Sequence, residues 1–253
     1  MTTITSKANQ HIQFAKDISR GKEKGYALLE GAKLCRDALA AGITPLKAFV
    51  TEGAPIPTAL LDDETTFVIN DALSRFISDT ETPQGVFLVV PALDKNENSD
   101  RIVKSGKILI LDGVQEPGNA GTLLRTAAAF GASVVLSTGS ANPNSGKFIR
   151  ASAGAVLTTP VIRAELAPII GALKQNGCKV YAAMLDDKAK PLCDVTPEKK
   201  VAVVIGSEGK GVSAAVAAMC DTVYIPISGV QSLNAATAGG IIMYSLFSNR
   251  KRN

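Results

Sequence analysis

Five polar residues stand in three stretches otherwise built of glycine and small apolar residues. Asn119 and Arg125 lie in "DGVQEPGNAGTLLR", residues 112–125. Glu208 lies in "IGSEGKGVS", residues 205–213, and Ser232 and Asn234 lie in "IPISGVQSLNAATAGG", residues 225–240. Asn119 suits an N-cap or an early helical turn. Arg125 follows six residues later, about 1.7 turns on, so it is offset around the axis rather than stacked above Asn119. An arginine near a helix start adds to the field that already favours anions there and can grip a phosphate bidentately. The other reading is a cap plus a solvated arginine, but the helix around Arg125 is otherwise uncharged. Glu208 sits between Gly206, Gly209 and Gly211, where little crowds it, and a carboxylate so placed suits a ribose, an amine or an attacking hydroxyl. Lys210 is a phosphate contact or a solvated lysine. Ser232 fits an N-cap, and the small residues after Asn234 suit close helix packing.

Other chemistries lack their residues. Neither G-x-G-x-x-G nor G-x-x-x-x-G-K-[ST] is present, so the loop after "KILILD" is not a dinucleotide or P-loop fingerprint. His11 is the single histidine, which leaves no basis for a Ser-His-Asp site or a histidine-ligated metal. The four cysteines, Cys35, Cys178, Cys193 and Cys220, form no C-x-x-C pair. They read as incidental thiols in a reducing compartment, and no metal is expected.

The elements that must hold these residues follow from the apolar pattern. "KILILD", "SVVLS", "KVYAAM", "VAVVIG" and "TVYIPI" are continuous apolar runs of the kind buried in parallel sheets. Helices are expected over about 118–130, 165–176, 212–219 and 232–249. The result is an α/β domain with a mostly parallel sheet, and the three polar stretches fall after its strands, where ligands of such sheets bind. Upstream, a helix over about 9–20, strands at "YALLE", "LKAFV", "TFVIN" and "GVFLVV", and a helix over 31–41 make a smaller α/β domain. Residues 91–106, "PALDKNENSDRIVKSG", read as a linker. The domain boundaries are therefore 1–92, a linker over 93–106, and 107–253.

Composition, 46% apolar and 20% charged, is that of a globular chain with a sizeable core. No run is long and apolar enough for a membrane span and the start lacks a signal peptide, so the expected location is cytoplasmic, with no membrane partner. The net charge of +4 hides an asymmetry. Residues 1–50 carry 8 Lys/Arg and 4 Asp/Glu, and residues 51–100 carry 2 and 10. Basic segments thus flank an acidic one, which suits a polyanion or simply a solvated surface.

Taken in order, "NAGTLLR", "IGSEGKG" and "IPISGVQSLNAATA" resemble the three motifs of the SpoU (TrmH) family. These are RNA 2′-O-ribose methyltransferases of the SPOUT superfamily. The resemblance runs over 107–249 and includes "ANPNSGKFIRASAGAVLTTPV". The leader "SKANQHIQFAKDISRGKEKGYALLEGAKLCRDAL" is similar to the family's substrate-binding domain. The resemblance implies a trefoil-knotted catalytic domain, which physical priors alone would disfavour. It implies S-adenosylmethionine as cofactor and a homodimer in which the first-motif arginine works near the partner's cofactor. It further implies a cofactor pocket using Gly206, Ile225 and Leu233, with Ser207, Ile227 and Asn234 beside them. Asn119, Arg125, Glu208, Ser232 and Asn234 match the polar positions around the reacting ribose. Arg125 is better suited to clamping phosphate and stabilising an alkoxide than to acting as a base, because a guanidinium keeps its proton. The third motif departs from the family pattern at Ala235-Ala236, where many members have Val-Ser, and the second has Lys210 where arginine is common. Ribosomal RNA is favoured as substrate over tRNA because a leading substrate domain is commoner in the large-subunit enzymes. The rival readings are a tRNA methyltransferase and a non-catalytic RNA-binding protein of the same fold.

Overall fold

The computed structural model describes residues 1–55, 57–60, 64–196 and 198–248. The described chain divides into two compact units, one of residues 1–93 with 143–150, the other of 94–142 with 151–253.

In the first unit, β1 (Thr2–Ile4), α1 (Gln10–Ser19), β2 (Tyr26–Glu30), α2 (Ala32–Ala40), β3 (Lys47–Thr51), β4 (Thr66–Ile69), α3 (Asp71–Ile77) and β5 (Val86–Pro91) follow in order. The five strands form one sheet in the order β1-β4-β3-β5-β2. β4 pairs in parallel with β1 and β3, while β5 runs antiparallel to β3 and β2. α1 buries Ile12, Ala15 and Ile18, spaced to share one helical face, into a core with Phe49, Phe87 and Leu73. Asn9 caps α1 by accepting the His11 N–H at 2.8 Å. The imidazole of His11 stacks on Phe67 with centroids 4.7 Å apart. Burial and the neighbouring Lys47 hold its pKa below the ordinary histidine value.

The chain continues through α4 (Ser99–Val103), β6 (Lys107–Asp112), α5 (Pro117–Ala129), β7 (Ser133–Leu136), α6 (Gly146–Ala151), β8 (Val161–Arg163), α7 (Leu166–Gln175), β9 (Lys179–Ala183), β10 (Lys190–Pro191), β11 (Val201–Gly206), α8 (Ala214–Ala217), β12 (Asp221–Tyr224) and α9 (Ala235–Phe247). The second unit holds a seven-stranded sheet, β10-β12-β9-β11-β6-β7-β8, in which every pairing is parallel. β6 and β11 are its neighbouring central strands, in register from Lys107↔Val201 to Asp112↔Gly206. Their inner residues are fully buried, Ile108 to Leu111 and Ala202 to Val204 at 0% exposure, which is why both strands read as unbroken apolar runs.

Several expectations need adjustment. The 93–106 stretch is more than a linker: α4 lies within it and buries Ile102 completely. Ser232 is not a helix cap, because α9 begins at Ala235 and Asn234 caps it. The helix expected over 212–219 is the single turn of α8. Position 249, the expected end of α9, lies outside the described residues. No helix among the described residues is long and apolar enough to cross a membrane.

Candidate functional site

The first loop begins where β6 ends. Gly113 turns the chain at φ +71°, and its N–H donates to Ser137 Oγ at 2.9 Å and Ser140 Oγ at 3.1 Å. Pro117 opens α5, a position where a missing N–H costs nothing. Glu116 is the cap: its Oε2 accepts the Asn119 N–H at 2.6 Å. Asn119 therefore sits in the first turn of α5 with its backbone donor already satisfied and its amide side chain projecting from the loop.

The second loop closes on itself. Ser207 and Gly211 exchange backbone hydrogen bonds at 3.1 and 2.9 Å, with Gly211 at φ +65°. Ser207 Oγ accepts from the Lys210 N–H at 3.2 Å. Glu208 is held at the tip of this ring and is exposed. The first and second loops are tied where Asp112 Oδ2 accepts the Ser213 N–H at 2.8 Å.

The third loop leaves β12 and runs over residues 225–234 without regular structure. Its end is fixed by Asn234, whose Oδ1 accepts the N–H groups of Ala236 at 2.9 Å and Thr237 at 3.2 Å. Asn234 Nδ2 then donates to Asn119 Oδ1 at 3.1 Å, and Asn119 Nδ2 donates to Glu208 Oε1 at 2.7 Å. One residue from each loop thus joins a single hydrogen-bonded chain. All three loops leave the carboxyl edge of one parallel sheet, which puts them on the same side.

Beside this chain lies a cavity of about 490 Å³, a size suited to a small-molecule ligand. Met184, Leu185, Ile225, Ile227, Leu233 and Ile242 form apolar walls, and Gln231 and Ser232 add polar side chains. Residues 225–233 make no hydrogen bond to the rest of the described chain. Their backbone donors and acceptors are therefore available to a ligand lying against them.

Four of the residues expected around the pocket or the ribose, Ile225, Ile227, Ser232 and Leu233, line this cavity. Gly206 and Ser207 lie outside the lining. Gly206 is buried against the Gly211–Val212 backbone, and Ser207 closes the second loop. Arg125 is exposed on α5, is not a member of the Asn234–Asn119–Glu208 chain, and makes no hydrogen bond or ion pair among the described residues. Met184 and Leu185 are missed as pocket residues, although Met184 ends the expected strand "KVYAAM" and Leu185 follows it at the same sheet edge. The described residues contain no group of three or more His, Cys, Asp or Glu that could hold a metal ion.

An all-parallel sheet with an apolar cavity and a chain of amides and carboxylate along its carboxyl edge defines an α/β ligand-binding domain. The model of the SpoU rRNA Methylase family matches residues 106–244, and the chain belongs to that family. It is 32% identical over 252 residues to the 23S rRNA (guanosine(2553)-2′-O)-methyltransferase RlmP of Bacillus subtilis, covering 97% of this chain and 99% of that one. Among solved structures, it is similar to an AdoMet-bound rRNA methyltransferase from Sinorhizobium meliloti (TM-score 0.84, 25% identity, 96% of each chain). It is also similar to the SpoU methyltransferase AviRb from Streptomyces viridochromogenes in complex with AdoMet. There the TM-score is 0.81, with 26% identity over 94% of this chain and 97% of that one.

Proposed function

We propose that this protein transfers a methyl group from S-adenosylmethionine to a ribose 2′-hydroxyl of RNA, with 23S ribosomal RNA as the favoured substrate. The observation that carries the reading is the cavity walled by Ile225, Leu233 and Met184, lying next to the Asn234–Asn119–Glu208 chain. The likeness to RlmP over nearly the whole of both chains favours ribosomal RNA over tRNA.

The cavity fits the cofactor's chemistry. Aliphatic side chains suit the faces of a flat base, and the unpaired backbone groups of 225–233 suit its polar edges. Ile225, Ile227 and Leu233 would hold the adenine, with Gly206, Ser207 and Asn234 shaping the site from the neighbouring loops. When bound, the cofactor supplies an electrophilic methyl group on a sulfonium that leaves without needing an acid. This chain's residues must orient the ribose hydroxyl, accept its proton and balance the charge that develops on its oxygen. Arg125 suits the last task through the RNA phosphate.

Arg125 is exposed and takes no part in the polar chain of its own protomer, which leaves it free to serve the partner's site in a homodimer. Exposed Ile241 and Tyr244 on α9, the latter ringed against Phe130 at 6.4 Å, offer an apolar face for such pairing. The trefoil knot belongs to the same proposal, supported by the return of α9 onto α5 and β11 after the 225–234 segment. Residues 1–92 would grip the RNA by its shape and phosphates. A ribosomal RNA substrate implies a cytoplasmic location.

The test is transfer from labelled S-adenosylmethionine to unmodified ribosomal RNA and tRNA in parallel, followed by nucleoside analysis. A 2′-O-methylated nucleoside in the ribosomal arm is expected. Arg125→Ala should keep cofactor affinity by calorimetry and lose at least about 100-fold in transfer, the scale of losing one electrostatic contact to the transition state. Product in the tRNA arm alone would reassign the substrate. Cofactor binding without transfer to either RNA would favour the non-catalytic reading.

A further inference from the structure

The chain of hydrogen bonds through the three loops has a direction, and the direction is set by helix α9. The first N–H groups of any helix lack acceptors within it. Here Asn234 Oδ1 supplies one to both Ala236 and Thr237. That oxygen is occupied, so only the Asn234 nitrogen can face Asn119, and it must meet the Asn119 oxygen. The Asn119 nitrogen is then the atom left to face Glu208. Amide orientations are often ambiguous, but a helix terminus at one end removes the ambiguity along the whole chain. Glu208 Oε1 meets a donor, so its role there is that of acceptor.

Glu208 Oε2 forms no hydrogen bond among the described residues. The other carboxylates of these loops are engaged with backbone, Asp112 with Ser213 N and Glu116 with Asn119 N. The single histidine of the chain, His11, belongs to the first unit, and a guanidinium has no lone pair to offer.

Resting on the ribose methylation reading, we propose that Glu208 Oε2 is the proton acceptor of the reaction, and that Asn119 and Asn234 are positioning residues that orient it. The hydroxyl proton passes to Glu208 Oε2. The hydroxyl oxygen forms its new bond to the methyl carbon as the carbon–sulfur bond breaks. The electron pair of that bond stays on sulfur, converting the sulfonium to a thioether, and Glu208 afterwards returns its proton to water. The charged groups on the elements bearing on Glu208 are Glu116 capping α5, Arg125 on α5, Lys107 and Asp112 at the two ends of β6, and Lys210 in its own loop. α9 carries none.

The experiment pairs single-turnover transfer across pH with NMR of the Asn119 side-chain amide in the cofactor-free protein. In the wild type, the amide resonance and the acid limb of the rate should share one midpoint. Glu208→Gln should abolish both, lower the rate by about 10²–10⁴-fold, and leave cofactor and RNA affinities unchanged. Glu208→Asp should recover part of the rate together with the acid limb. Asn119→Ala should lower the rate while retaining the acid limb. A Glu208→Gln enzyme that keeps a tenth of the rate, or keeps the acid limb, would overturn the assignment while leaving the methyltransferase reading intact. Wild-type protein that binds cofactor but methylates no RNA would sink both.

Discussion

Gly206 and Gly211 stand in contact across the base of the second loop. A Cβ on Gly206 would overlap the carbonyl carbon of Gly211 and the nitrogen of Val212. The atoms it would strike are backbone, and that backbone is pinned by the reciprocal Ser207–Gly211 hydrogen bonds. The closeness of these two glycines is what allows the strand to end and the ring carrying Glu208 to begin within a single residue.

Gly206→Ala should therefore open the ring. The expected cost is about 1–3 kcal/mol of stability, the range for overpacking a filled site, and a loss of transfer because Glu208 no longer meets Asn119. Gly209, in the same loop, faces open space: a Cβ there would have nothing within 4 Å. Gly209→Ala should thus stay within about 0.5 kcal/mol of wild type. Urea unfolding of the two variants side by side checks this, and equal effects would refute the steric account.

Ala153 is the one non-glycine residue with positive φ among those described, at 49°. It is exposed, so its methyl contributes no core packing. An L-residue in the left-handed region is strained by about 1–2 kcal/mol, while glycine adds about 0.4–1 kcal/mol of unfolded-state entropy. Ala153→Gly should thus be neutral or stabilising by up to about 1.6 kcal/mol. Ala127→Gly, in the interior of α5 and fully buried, should cost about 1 kcal/mol or more. Thermal melts that place both variants below wild type by the same amount would contradict the strain.

Cys35 packs between α2 and β5, fully buried, and burial pushes its thiol from 9.0 up to about 12. The folded protein then keeps a proton that the unfolded chain releases above about pH 9, so unfolding releases protons and stability falls as pH rises from 9.0 to about 12. The slope from Cys35 alone is up to about 1.4 kcal/mol per pH unit. Cys178 and Cys220, both pushed up to about 11 chiefly by burial, act in the same sense. Cys35→Ala should show a shallower decline in unfolding free energy between about pH 9 and about pH 11 than wild type. Parallel declines would show that Cys35 ionises freely in the folded state.

Much of this molecule is legible in its sequence, and the illegible parts share causes. "KILILD" and "VAVVIG" coincide with β6 and β11 because both strands are buried on both faces, which demands an unbroken apolar run. β1, β8 and β10 have two or three residues each, too few to show a period, and they are strands only because a neighbour offers its edge. Asn119, Glu208 and Asn234 stand out as polar residues among glycines and alanines, and the structure joins them. The cap of α9 is misread because Ser232 and Asn234 have equal local aptitude. The choice falls to Asn234, whose amide can cap the helix and reach Asn119 together, and that contact lies 115 residues away. Residues 143–150 belong with the first unit through contacts such as the Leu93 N–H donating to Asn144 Oδ1 and the Arg150–Asp79 ion pair. Such long-range pairings leave no mark in local composition.

The separations within the polar chain also set a schedule. Asn119 and Glu208 are 89 positions apart, and Asn119 and Asn234 are 115 apart. A chain being synthesised has its first-loop asparagine long before its carboxylate, and the carboxylate before the helix that orients it. At roughly 5–20 residues per second, several seconds pass between Asn119 and Asn234, and contacts of such long range are slow to close even afterwards. The protein is thus born without its Asn234–Asn119–Glu208 chain and acquires it in one of its last folding events, after most of both sheets has been made.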